Sequence, residues 1–212
     1  MKKLLIIGAR GWGREVYEMA ENCIGYNSDF VIKGFLDDTP SVLDGLDGYP
    51  PIVDSVEHYK PTDDDVFICA LGDTHWKRHY SEIILNKGGK FINLIHKNVF
   101  IGKNTIIGKG CIISKEVGIS CDIKIGDFVT FQRLVTLGHD VRVGNYCNFG
   151  TMCFMGGGAS IGEESTMHTS SIILPHKHVG DKCIIGAGSV VIKNIKNGNT
   201  VYGNPCKILK FI

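Results

Sequence analysis

The chain has 212 residues, 43% of them hydrophobic and 21% charged, with a net charge of +1. That length holds one large domain or two small ones, and the near-neutral balance gives no sign of a surface built to bind nucleic acid, so no such partner is expected. No window of about 18 apolar residues exists, and glycines and Arg10 interrupt the opening apolar run, so neither a membrane span nor a secretory signal is expected and the chain reads as cytoplasmic.

Two halves with different patterns meet near residue 95. In the first, Lys3–Ile7 is a short apolar run that reads as a buried strand. The cluster Gly8-Ala9-Arg10-Gly11-Trp12-Gly13 follows, and then Val16, Met19 and Ala20 fall at helical spacing. Phe30–Leu36 reads as a second strand ending at Asp37-Asp38, and Val66–Leu71 as a third ending at Gly72-Asp73. Thr74 is placed to cap a helix running to about Lys87, with Gly88-Gly89 as its stop. Phe91–Ile95 is a short strand leading out. This alternation predicts a small Rossmann-like α/β domain, a βαβ unit with a parallel sheet, over 1–95.

From residue 101 the chain repeats every six residues. Positions 101, 107, 113 and onward to 191 are large and apolar sixteen times in succession, and glycine follows the apolar residue in ten of the sixteen. Chance produces such a run with a probability on the order of 10⁻⁵. The position four after each apolar residue is small or β-branched (Thr105, Cys111, Val117 and so on), with Lys177 the exception. One large and one small inward residue per six suit a narrow three-sided coil of parallel strands, roughly five coils in all, spanning 96–200. Glycine is expected at the corners for its backbone freedom, which accounts for the 27 glycines. Phe128, Tyr146 and Phe154 are candidate outward residues on its flat faces. The eight cysteines show no CxxC pair and read as free thiols, four of them (Cys111, Cys147, Cys153 and Cys183) in the small inward position.

Spacing does not set the hand of the coil. A resemblance does: this repeat is that of the left-handed parallel β-helix acyltransferases. Over 201–212, the closing segment Val201-Tyr202-Gly203-Asn204-Pro205-Cys206-Lys207 resembles the V-x-G-N-P-A-K tail of the CoA-dependent members, with Cys206 in place of Ala. The glycine loop, Phe35-Leu36-Asp37-Asp38, Ala70-Leu71-Gly72 and Asn93-Leu94-Ile95-His96 make nearly the whole chain similar to the bacillosamine-pathway N-acetyltransferases and the sialic acid O-acetyltransferase group around them. The loop reads GxxGxG, not the GxGxxG of nicotinamide enzymes.

The resemblance implies acetyl-CoA as co-substrate, no metal, and a homotrimer with the CoA cleft between two subunits. It assigns the nucleotide sugar to Gly8, Gly11, Trp12, Gly13, Asp37, Asp38 and Gly72, with Gln132 near the acceptor sugar. Trp12 stands where the family commonly has His and allows a stacking or packing role. Gln132 stands where relatives often have Asn. It assigns CoA to the backbone of Gly157, Thr169 and Ala187 and to the side chains of Asn148 and Lys207; Asn148 replaces the family's usual His. His139 maps to the general base, a role whose near-neutral titration suits histidine. Asp140 orients it, or serves a neighbouring subunit or the backbone, because adjacent strand residues point oppositely. His176 and His178 form an HxH pair with no third ligand in view.

The expected activity is N-acetylation of a UDP- or dTDP-linked amino sugar. The alternatives are O-acetylation of a sugar or sialic acid, and a non-catalytic nucleotide-sugar-binding scaffold.

Overall fold

The computed structural model describes residues 1–209. The last three residues of the expected 201–212 tail lie outside the described residues. The chain divides into two units, Met1–Lys97 and Asn98–Ile212.

The first unit is a five-stranded parallel sheet. Its elements are β1 (Lys2–Ile7), α1 (Gly11–Ala20), β2 (Phe30–Leu36), β3 (Ile52–Asp54), β4 (Asp65–Cys69), α2 (Thr74–Asn86) and β5 (Lys90–Phe91), in the order β3-β2-β1-β4-β5. Leu4–Ile7 and Val66–Cys69 are buried throughout, as a sheet covered on both faces requires. Tyr17 of α1 packs its ring 6.0 Å from Phe35, which is in register through Ile6 with Ile68. Phe67, the next residue along β4, faces the other way and meets Phe91 at 5.9 Å. The strand order reverses between β1 and β4, and there the two βα turns open a crevice at the carboxyl ends of the strands.

Several local expectations are corrected. The cap of α2 is Asp73, not Thr74: the Trp76 N–H donates to its carboxylate at 3.0 Å. The third strand starts and ends earlier than Val66–Leu71, and Phe91–Ile95 is two short strands, β5 and β6 (Leu94–Ile95), not one. β3 lies between prolines and short turns, and its three residues carry no alternation long enough to read from sequence.

The second unit is a parallel β-helix of two-residue strands paired eighteen residues apart, until the last pairing, Ile184 with Thr200, closes to sixteen. The first face stacks the strands at 100–101, 118–119, 136–137, 154–155, 172–173 and 190–191. The second stacks 106–107, 124–125, 142–143, 160–161 and 178–179. The third stacks 112–113, 130–131, 148–149, 166–167 and 184–185, then Thr200–Tyr202, against which Lys207–Ile208 folds back antiparallel. The repeated apolar residues fill the interior from Ile113 to Val191, with the Phe131 and Phe149 rings 4.7 Å apart. All eight cysteines are free.

The corners do not use glycine as expected. The left-handed residue is the third after the apolar position, and it is usually not glycine: Asn104, Glu116, Asp122, Phe128, Leu134, Asp140, Tyr146 and Met152 all have φ between 57° and 64°. The recurrent glycine comes first after the apolar position and is needed for close approach. A Cβ on Gly102, Gly108, Gly138 or Gly144 would lie 2.3–2.7 Å from atoms of the next coil. Phe128 and Tyr146 are also corrected. As left-handed corner residues they stack at 4.9 Å, nearly parallel, and are only 1% and 8% exposed; Phe154 does face outward.

Candidate functional site

In the first unit, a pocket of about 440 Å³ lies at the carboxyl ends of β1, β2 and β4. Of the residues expected to bind a nucleotide sugar, Gly8, Trp12, Gly13, Asp37, Asp38 and Gly72 line it. Gly8 has φ +94°, and Gly13 must lack a side chain because a Cβ there would meet the Gly8 carbonyl at 1.9 Å. These two glycines let α1 start directly behind β1. Gly11 and Gly72 have open space where a Cβ would point. No side chain caps α1, so its first N–H groups and the positive end of its dipole are left for an anion.

The two aspartates do different work. Asp37 accepts from the Ala9 N–H and the Thr39 N–H, both at 2.9 Å, and thereby fixes the glycine loop. Asp38 accepts from the Tyr80 hydroxyl at 2.5 Å and from the Val56 N–H at 3.3 Å. The hydrogen bond to Asp38, and burial after it, push the Tyr80 hydroxyl up to about 12. Arg10, Trp76 and Tyr80 also line the pocket, and sequence reasoning did not single out the two aromatics. The signal was there for Trp76: the first turn of the helix after a central strand faces the same crevice as the glycine loop.

In the second unit, His139 and Asp140 sit in the corner between the first and second faces, exposed beyond the strand Thr136–Leu137. Because this is a turn, with Asp140 at φ 59°, the two side chains point the same way; Asp140 Oδ2 lies 2.8 Å from His139 Nδ1. The neutral tautomer that donates its Nδ1–H to this carboxylate has Nε2 as its free nitrogen. Nε2 hangs over the next coil, 2.5 Å from where a Cβ of Gly157 would be. On the coil before, Asp122 accepts from the Asn104 amide at 2.9 Å, which holds its carboxyl below the usual range, with the nearby Cys121 thiol, Arg142 and His139 adding to the effect.

The other expected residues lie elsewhere on the coil. Gln132, Thr169 and Ala187 are in the corner between the third and first faces, Asn148 is on the third face, and Lys207 is on the terminal hairpin. One chain therefore brings His139, Asp140 and Gly157 together and keeps the rest apart from them. Among the described residues, the N–H groups of Gly157, Thr169 and Ala187 have no acceptor within the chain. Gln132 accepts from the Thr151 hydroxyl at 3.2 Å. His178 is bonded to Ser160 at 2.9 Å, and among the described residues no group of three His, Cys, Asp or Glu is gathered as a metal ion would need.

Residues 3–84 match the family described as the PglD N-terminal domain. The first unit belongs to that family. The PglD-type domain is followed by the left-handed β-helix, and the whole chain has the architecture of the bacillosamine and perosamine N-acetyltransferases, the family that the sequence resembles. The acetyltransferase domain of PglB from Neisseria gonorrhoeae is 28% identical, with 99% of this chain and 100% of that one aligned at a TM-score of 0.88. PglB bound to acetyl coenzyme A aligns over 98% and 99% at 27% identity and a TM-score of 0.86. PerB from Caulobacter crescentus, solved with CoA and GDP-perosamine, shares the fold at 24% identity and a TM-score of 0.89, over 99% and 98%. A search of curated proteins finds no match. No helix among the described residues is long and apolar enough to cross a membrane.

Proposed function

We propose that the protein transfers the acetyl group of acetyl-CoA to the amino group of a nucleotide-linked sugar. The observation that carries this reading is the His139–Asp140 pair leaning over the bare backbone of Gly157. It supplies a base with a fixed tautomer and, beside it, an unused N–H donor. The similarity to proteins solved with acetyl-CoA or with a nucleotide amino sugar supports the two substrates.

In the proposed step the amine nitrogen attacks the thioester carbonyl carbon, and the C=O electron pair moves to oxygen, to which the Gly157 N–H donates a hydrogen bond. The intermediate collapses, the C–S bond breaks, and the CoA sulfur leaves with the electron pair. His139 Nε2 takes the proton that the amine sheds and returns it to the sulfur, so an amide and a thiol are formed. Asp140 holds the imidazole and offsets its transient positive charge. The N-terminal pocket takes the nucleotide: the diphosphate at the open start of α1 near Arg10, and the nucleoside against Asp38, Trp12 and Trp76.

The same reading makes the working form a cytoplasmic homotrimer. Gly157 and the pair Thr169 and Ala187 flank the two sides of the first face, so a cleft between neighbouring copies joins residues that one chain keeps apart. Sedimentation showing an active monomer would contradict this. The activity itself is tested by thiol release from acetyl-CoA over UDP-, dTDP- and GDP-linked amino sugars, with sialic acid included. Release with an amino sugar is expected; release with sialic acid alone would make the enzyme an O-acetyltransferase.

A further inference from the structure

In the corner that carries His139, two adjacent turn positions recur in five successive coils. They hold Lys103-Asn104, Cys121-Asp122, His139-Asp140, Gly157-Gly158 and Pro175-His176. Only one coil has glycine at both. Backbone conformation does not require it: Gly157 has no left-handed φ, and at the second position Asn104, Asp122, Asp140 and His176 adopt φ of 57° to 59° with side chains in place. What requires the glycines is the coils on either side. A Cβ on Gly157 would meet His139 Nε2 at 2.5 Å, and a Cβ on Gly158 would meet His176 Nδ1 at 2.5 Å.

Side chains at these two positions project into one space, as the 2.8 Å contact between His139 and Asp140 demonstrates. The missing side chains of Gly157 and Gly158 therefore leave a one-coil notch that the imidazoles of His139 and His176 themselves enter from either side. His176 is exposed, and among the described residues its ring makes no hydrogen bond, whereas the ring of His178 is held by Ser160. The HxH pair thus splits: one histidine is bound to the coil and the other is free over the notch.

We propose that His176 is a second substrate-binding residue, resting on the acetyltransferase reading above. Its imidazole hydrogen-bonds a hydroxyl of the acceptor sugar across the notch from His139 and fixes the amine in front of Nε2. Two imidazoles, a carboxylate and bare backbone at the mouth of the notch are groups that hydrogen-bond the hydroxyls of a sugar ring.

The test is His176→Asn, because Asn104 occupies the same corner position with the same φ and the fold tolerates it. With the amino-sugar nucleotide that the wild type turns over, the expected result is a rise of about tenfold in the acceptor KM, the loss of one hydrogen bond, with the KM for acetyl-CoA unchanged. Calorimetry without acetyl-CoA should give the same tenfold loss for the amino-sugar nucleotide and none for the free nucleoside diphosphate. Unchanged acceptor affinity, equal weakening for the free diphosphate, or a raised KM for acetyl-CoA would overturn the proposal and leave the acetyltransferase reading standing. A wild type that turns over no amino sugar would overturn both.

Discussion

Two corners of the β-helix are built from the same six-residue repeat and spend their hydrogen bonds differently. Between the second and third faces the corner is closed. The N–H groups of Lys109, Asp127, Glu163 and Asp181 donate to the side-chain oxygens of Asp127, Asn145, Asp181 and Asn197 in the following coils. The recurrent glycines there make room for these side chains: a Cβ on Gly126 would fall 2.4 Å from Asn145 Oδ1. Between the first and second faces no such ladder exists among the described residues. The equivalent N–H of Gly157 is free, and His139 stands beside it. A closed corner serves the coil, and an open one is available to a ligand.

The first unit repeats the contrast. At the carboxyl ends of its strands the helix start is uncapped and the pocket is open. At the start of β4, Asp65 is buried and takes hydrogen bonds from Tyr59, Lys33 and both the N–H and hydroxyl of Thr62. Burial pushes its carboxyl up, but these donors outweigh it and hold it down to about 2.

The contrast breaks most visibly at the open corner. His139→Ala should lower acetyl transfer by about 10²- to 10⁴-fold, with melting temperature unchanged because the ring is exposed. An unaffected rate would remove the base from the account. Gly157→Ala drives a methyl into the His139 ring, and displacing the base by about an ångström should cost about 10²-fold in kcat. A fully active Gly157→Ala would show that the ring is free to move aside.

At the closed sites stability, not rate, should respond. Asp65→Asn breaks a buried ion pair with Lys33 and should destabilise the first unit by about 3 kcal/mol in denaturant unfolding. Because the folded carboxyl titrates below the unfolded one, the stability it contributes is present above about pH 4 and lost as pH falls toward 2. A unit whose stability is flat across that window in the wild type would contradict the assignment. Asn145→Ala removes one rung of the ladder, leaving the Asp127 N–H and the Glu163 carboxylate without it. About 1 kcal/mol of stability should go, with activity per folded molecule unchanged.

Much of this was legible in the sequence because it is periodic. A period of six with no slip suits a coil, and the strand–helix alternation before it argues for a parallel sheet. What the period did not tell was why each residue recurs. Glycine after the apolar position looked like a turn residue, and the turn is in fact made by Asn104, Asp122 or Phe128; the glycine answers to a neighbour eighteen residues away. Phe128 and Tyr146 looked outward for the same reason. His139-Asp140 was readable from its place in the repeat, and alternation wrongly suggested that the two diverge because the turn was not anticipated. Trp76 was readable from its place in the first turn of α2, whereas Tyr80, a turn further on, reaches the pocket only through the packing of α2 on the sheet. His176 was passed over because its partner in the notch is a pair of absent side chains.

The most direct test of the central claim is the chemical identity of the product formed from acetyl-CoA and a mixture of nucleotide-linked amino sugars and sialic acid, read by NMR. The expected product is an acetamide on a nucleotide-linked sugar, formed by the wild type and not by His139→Ala. An acetate ester on any acceptor, or an acetamide formed equally well without His139, would contradict the claim.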